Sequence, residues 1–317
     1  MAVPVKKKKD DVFLMKAATT IAEGVVALKH ELVKKAASGA HTYEAVPLEP
    51  SGLLPVEPAH LAMLHRFASA NPIYYRSSQQ DLLGVPCMVY EGDINEHWLS
   101  SVKHDTSYQA FYPTWIMSAY ALVHEARRLG FGERATTATT VVDIGSGDGR
   151  IAYCAGISGT GALGIEIDGD LAGLQKAIFE KTEVRGAYVM HADATRFDYA
   201  TLGMSGPAVF FISAMPEMGE MLAQSVISQV LALPDIEPCF VFMGSHSLKK
   251  YSRDLQKWGW GSVIDRNRLQ VISTLTLPTQ WTMDQELDTA YVFAAFRHDN
   301  NNSSGNSDSS NGGDSSL

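Results

Sequence analysis

The chain has 317 residues, a formal net charge of -9, a pI near 5.6 and 45% hydrophobic residues. That length and apolar share support one large domain, or one medium domain with an appendage. The acidic balance argues against a protein that coats nucleic acid through a general basic field. Cys87, Cys154 and Cys239 lie far apart with no C-x-x-C spacing, which indicates neither a disulfide framework nor a zinc site and points to a reducing, intracellular compartment. No apolar run reaches the roughly 18 residues needed to cross a membrane, and Met1 to Lys9 is not followed by the apolar core of a secretion signal.

Lys6 to Lys9 form a basic run closed by Asp10 and Asp11. It reads as a solvated tail on a cytoplasmic protein, with a nuclear-import or nucleic-acid tag as the alternative. From Val12 to about Ala37, Leu14, Met15, Ala18, Ile21, Val25, Leu28 and Leu32 recur at helical spacing, which predicts an amphipathic helix with a weak point at Gly24 and a stop at Ser38-Gly39. The next stretch, 41–58, carries Pro47, Pro50, Pro55 and Pro58 and reads as an extended connection. A second helix is predicted from about Ala59 to Ala70, ending before Asn71-Pro72, and Ile73 to Tyr90 offers short strand-like pieces and turns. Residues 1–100 are therefore read as a largely helical N-terminal extension that either selects substrate or caps the rest.

Ser107-Tyr108-Gln109-Ala110-Phe111-Tyr112-Pro113-Thr114-Trp115 then precedes a helical pattern from Ile116 to Leu129. Taken alone, Pro113 can be the first helical residue, with the aromatics packed as a staple. The decisive stretch is Val141-Val142-Asp143-Ile144-Gly145-Ser146-Gly147-Asp148-Gly149-Arg150, which reads as strand, tight turn and helix start. Glycine at such a turn permits positive φ and close ligand approach, while the free N–H groups of the helix start face the same crevice. The dinucleotide fingerprint G-x-G-x-x-G/A fits poorly, because its sixth position falls on Arg150, where close helix–strand packing wants a small residue.

The spacing acid-x-Gly-x-Gly-x-Gly from Asp143 to Gly149 resembles the first motif of the class I S-adenosylmethionine (SAM) methyltransferases. Its aromatic-Pro-Thr lead-in is similar to that of the non-SET protein-lysine methyltransferases, and the resemblance covers roughly residues 107–215. It implies an α/β fold: a mostly parallel, seven-strand, doubly wound sheet with an antiparallel last strand. It also implies SAM as cofactor, with no metal. Asp143, Gly145, Ser146, Gly147 and Gly149 would pass beneath the amino-acid and ribose parts, with Tyr112 and Thr114 near the methionine end. Ala162 to Asp168 is a second strand pattern ending in acids about 20 residues past the glycines, where a carboxylate can accept both ribose hydroxyls. Glu166 is the preferred one. A third strand pattern from Ala187 leads to Asp193, which in the resembled family accepts from the adenine amino group.

Pro207 to Ile212 is a nearly continuous apolar run, as expected for a central parallel strand covered on both faces. Ser213-Ala214-Met215-Pro216-Glu217-Met218 at its end departs from the Asp/Asn-Pro-Pro-aromatic of adenine-amine enzymes and lacks the asparagine of the histone-directed ones. Helical spacing continues to Leu231, Cys239 to Met243 is a fifth strand, and Lys249 to Gly259 a further helix. Ser262 to Ile264 with Leu269 to Leu275, then Thr289 to Phe296, supply a terminal strand pair. The methyltransferase domain is thus placed at 101–298. The tail, 299–317, is so rich in Asp, Asn, Ser and Gly that it cannot offset its ordering entropy and is expected to be disordered.

The expected reaction is methyl transfer by in-line displacement to an amine, a protein lysine being favoured. An RNA or small-molecule acceptor, and an inactive SAM-binding adaptor, are the alternatives. Glu217, the first acid past the central strand, is the candidate base with Tyr112 beside it, although a helix-start acid stabilised by the dipole fits Glu217 equally well. His246, His104 and His191 are further candidates, and Arg150 is expected to pair with Asp148.

Overall fold

A computed structural model describes residues 8–35, 42–92, 111–132, 139–214, 216–243, 260–279 and 286–296; side chains are described except at 8–20, 42–43 and 216–218. Two sheets frame the fold: a three-stranded antiparallel sheet from the N-terminal part and a seven-stranded sheet from the rest.

The first helix, α1 (Lys8–Lys35), runs without a break. Gly24 does not interrupt it; glycine suits that place because the Leu53 carbonyl and the Leu54 side chain occupy the space a Cβ would need. The region read as an extended connection contains β1 (Thr42–Pro47), which pairs antiparallel with β3 (Val85–Gly92). β2 (Tyr74–Leu82) pairs with β3 on its other side. Between them α2 (Pro58–Ala70) starts with proline at its first turn and closes with the Asn71 amide on the Phe67 carbonyl at 3.0 Å. The extension thus holds helices of 28 and 13 residues as expected, plus a sheet whose β2 and β3 fall in the strand-like pieces read from Ile73 to Tyr90 and whose β1 the neighbouring prolines hid.

The main sheet is built from β4 (Thr139–Ile144), β5 (Gly161–Glu166), β6 (Ala187–His191), β7 (Gly206–Ile212), β8 (Ile236–Met243), β9 (Leu269–Pro278) and β10 (Asp288–Phe296), in the order β6-β5-β4-β7-β8-β10-β9. The β6 to β8 neighbours are all parallel, while β10 runs antiparallel to both β8 and β9. Helices α3 (Ile116–Arg128), α4 (Arg150–Ile157), α5 (Gly169–Thr182) and α6 (Pro216–Leu231) connect or cover these strands. The seven-strand α/β sheet with its antiparallel finish is as the sequence resemblance implied. One segment differs: Ser262 to Ile264 belongs to a short helix, α7 (Gly261–Arg266), because a three-residue apolar run carries no period that separates strand from helix.

Alternation along the central strands divides the core in two. Val209, Phe211, Val241 and Phe293 point to one cluster, Phe210, Phe240, Phe242 and Trp260 to the other. The first cluster also contains Ile21, Leu28 and Phe67 from the extension, so one face of the main sheet and the extension share a single core. The boundary near residue 100, the tail at 299–317 and the helix expected from Lys249 to Gly259 lie outside the described residues. Among the described residues no helix is long and apolar enough to cross a membrane.

Candidate active site

β4 ends at Ile144, and the chain turns through Gly145, Gly147 and Gly149 with φ of +70°, +58° and +82°. Side chains are strained in that conformation, which is why glycine occupies all three places. Space reinforces the choice: a Cβ on Gly147 would lie 2.5 Å from the Phe111 ring, and one on Gly149 would collide with Gln175. Beneath the turn, Gln175 Nε2 donates to Ser146 Oγ at 2.8 Å and to the Gly147 carbonyl at 3.3 Å.

The turn borders a cavity of about 580 Å³ that spans the carboxyl ends of β4, β5, β7 and β8, where ligands of open α/β sheets bind. Tyr112, Thr114, Asp143, Gly145, Ser146, Gly147, Glu166 and Asp193 all line it, which brings together nearly all the residues singled out in the sequence. Gly149 caps α4 behind the loop. Glu166 Oε2 accepts the Gly147 amide at 2.7 Å, and Oε1 accepts the amides of Ile167 and Asp168 at 2.9 and 3.0 Å. Burial raises its pKa, and these amides oppose the rise. Asp143 Oδ1 accepts the Ser213 hydroxyl at 2.7 Å. Burial pushes Asp143 up to about 7, and nearby Glu166 and Asp148 add to the shift. Asp193, a third exposed, accepts the amide and hydroxyl of Thr195 at 2.9 and 2.7 Å.

Tyr112 and Thr114 belong to a wall formed by Phe111, Tyr112, Pro113 and Thr114. Helix α3 starts at Ile116, with Trp115 as its cap, so Pro113 is not the first helical residue. Thr114 Oγ1 lies 3.4 Å from the Tyr291 hydroxyl, which reaches the cavity from β10 and whose pKa burial raises to about 12. The sequence reading missed Tyr291, since its strand is 177 residues away.

Arg150 pairs with Asp148 as expected: Nε donates to Oδ1 at 2.8 Å and Nη2 to Oδ2. It does more than that. Nη1 donates to the Thr114 carbonyl and lies 3.5 Å from Glu44 Oε1, on β1. Glu44 also accepts the Ile116 amide and the Tyr74 hydroxyl, and Asn71 Nδ2 donates to Asp148 Oδ2 at 2.8 Å. His191 is held by the Ile167 carbonyl at 3.0 Å and does not line the cavity. The Glu217 side chain, His246 and His104 lie outside the described residues.

The charge of the lining separates ligand classes. Asp143, Asp148, Glu166, Asp168 and Asp193 face one cation among the described lining residues, Arg150, which is already bound to Asp148. Such a site disfavours a pyrophosphate and favours a ligand carrying positive charge. Arg150 itself fills the place where a dinucleotide fold needs a small residue. The chain has a Rossmann-like α/β fold.

No family model and no curated protein matches the sequence. Among solved structures, the chain is similar to an O-methyltransferase from Bacillus cereus in complex with SAH, at 10% identity and a TM-score of 0.43 over 64% of this chain and 90% of that one. It is also similar to the magnesium protoporphyrin IX methyltransferase from Synechocystis with bound SAH, at 13% identity and a TM-score of 0.38 over 60% and 90%. A third is the tRNA (uracil-54, C5)-methyltransferase of Pyrococcus abyssi in complex with S-adenosyl-L-homocysteine, at 14% identity and 0.37 over 58% and 39%.

Proposed function

We propose that the protein is a SAM-dependent methyltransferase. The observation that carries this reading is the placing of three carboxylates, Asp143, Glu166 and Asp193, at or just beyond the ends of three adjacent parallel strands, beside the left-handed glycine turn and in one cavity. These acceptors match the hydrogen-bond donors and positive charge of the cofactor. Glu166, fixed by three backbone amides, would accept from the ribose hydroxyls. Asp193 would take the adenine amino group. Asp143 would face the positively charged amino-acid part. SAM, when bound, supplies a methyl group already activated by the sulfonium charge.

The chain's own work is then to bind, orient and exclude water. Phe111 and Pro113 with Phe211, Val241 and Met243 give the half of the cavity over β7, β8 and β10 an apolar lining, which favours the uncharged form of an acceptor. Tyr112, Thr114 and Tyr291 add hydroxyls there that can orient the nucleophile. Tyr112, whose pKa burial raises, stays a neutral hydroxyl near pH 7. For the acceptor we infer an amine, with a protein lysine first; the support is the resemblance of the wall segment, and Glu217 is the proposed proton acceptor.

Incubation of the purified protein with methyl-labelled SAM and a cell extract, separated into protein, RNA and small-molecule fractions, tests this. Label in protein, released as methyl-lysine on hydrolysis, is the expected result. Label confined to another fraction discards the lysine acceptor and keeps the methyltransferase. No label in any fraction overturns the activity.

A further inference from the structure

The charged cluster behind the glycine turn is deeply buried: Glu44 and Asp148 are each 1% exposed and Arg150 4%. Burying two carboxylates and a guanidinium costs desolvation that an apolar core would avoid, so such a cluster is weak support for stability and a better candidate for fixing geometry. Here it ties together three pieces far apart in sequence. Glu44 comes from the extension, Arg150 from the start of α4 just past the glycines, and the Thr114 carbonyl and Ile116 amide from the cavity wall and the start of α3 behind it. The wall and the turn are in direct contact, since the Phe111 ring occupies the space above Gly147. Tyr74 and Asn71 hold the two carboxylates from the extension side.

We infer that Glu44 is a positioning residue for the cofactor pocket: through Arg150 and the main chain at Thr114 and Ile116 it sets the Phe111 to Thr114 wall against the glycine turn. The extension is then part of the binding site and not a separable cap. This rests on the SAM reading above. Its physical basis is that Glu44 takes hydrogen bonds from both sides of the junction while not itself lining the cavity, so its loss frees the wall without removing a side chain from the pocket.

The test is calorimetric titration of the full chain with SAM, well below the melting temperature, for the natural protein and for Glu44→Gln, Tyr74→Phe and Glu125→Gln. Glu125 is a matched control: it is 2% exposed and paired with Arg128 at 2.6 Å, yet it lies away from the cavity. Glu44→Gln is expected to weaken SAM binding tenfold or more, and Tyr74→Phe, which removes one hydroxyl and keeps the ring, threefold or more. Glu125→Gln is expected to lower the melting temperature with SAM affinity within twofold. Should Glu44→Gln fail to fold, Tyr74→Phe decides. Natural protein that binds SAM, with the folded variants at Glu44 and Tyr74 binding within twofold of it, overturns the positioning role alone. If Glu125→Gln weakens binding as much as Glu44→Gln, the effect is general destabilisation and the inference also fails. Natural protein that binds no SAM removes the cofactor reading and this inference with it.

Discussion

Glu166 at the end of β5 accepts the Gly147 amide at 2.7 Å, so the acid and the glycine turn of the neighbouring strand hold each other before any ligand is present. A carboxylate fixed in this way is pre-organised, which lowers the ordering cost of binding. Hydrogen bonds to charged groups contribute about 1.5–3 kcal/mol, so Glu166→Gln should weaken SAM binding by roughly 10- to 100-fold. Glu166→Ala should also destabilise the fold, by about 1–3 kcal/mol, because it leaves buried amides unpaired. Titration and chemical unfolding of both variants separate the two effects.

Gly147→Ala places a methyl group 2.5 Å from Phe111 at a residue with φ of +58°. The left-handed conformation alone costs a non-glycine residue about 1–2 kcal/mol. Displacing Phe111 shifts the cavity wall. The variant should fold with a lowered melting temperature and lose at least about tenfold in SAM affinity, by the same hydrogen-bond arithmetic for the turn amide. Unchanged affinity would show that the turn is not the binding loop.

How much of this was legible in the sequence follows from distance along the chain. The glycine turn and the acids ending β5 and following β6 stand within about 50 residues of each other and report their geometry through local chemistry: positive-φ glycines, strand ends and a crossover helix between. Glu44, Asn71 and Tyr291 reach the site from 106, 77 and 177 residues away from their partners. No local pattern marks a glutamate in a proline-flanked strand as the partner of a distant arginine. The same limit explains β1, whose neighbouring prolines suggested a connection, and α7, whose apolar run was too short to show a period.

Arg150 is the only described cation between Asp148 and Glu44 in the buried cluster, with its guanidinium 5.7 Å from the centre of the Phe67 ring. Arg150→Met removes the cation and strands both carboxylates. Breaking a buried pair in this way costs about 3–5 kcal/mol. A loss of that size is expected in denaturant unfolding at pH 7, together with weaker SAM binding in whatever folded fraction remains. A loss below about 1 kcal/mol, the range of exposed pairs, would mean that the cluster is solvated.

Asp143 gives the site a pH signature. Burial holds its folded pKa at about 7, above the reference carboxylate value of about 3.9. The folded protein therefore retains a proton that the unfolded chain gives up. That contribution to stability is complete below about pH 4 and is lost as the pH rises through about 7. The ligand-free protein should melt at lower temperature as the pH rises through this window, and Asp143→Asn should flatten the slope. A cationic ligand favours the ionised carboxylate, so SAM binding near pH 6.5 should release protons. Calorimetry in two buffers of different ionisation heat would detect the release, and identical apparent heats in both would contradict this role for Asp143.

The most direct test of the central claim is titration of the purified protein with SAM and, separately, with NAD. Saturable one-site binding of SAM that Gly147→Ala and Glu166→Ala both weaken, with NAD weaker by at least about tenfold because five carboxylates line the cavity, is the predicted result. Absence of SAM binding, or a preference for NAD, would contradict the reading of the glycine turn and its three strand-end carboxylates as a SAM site.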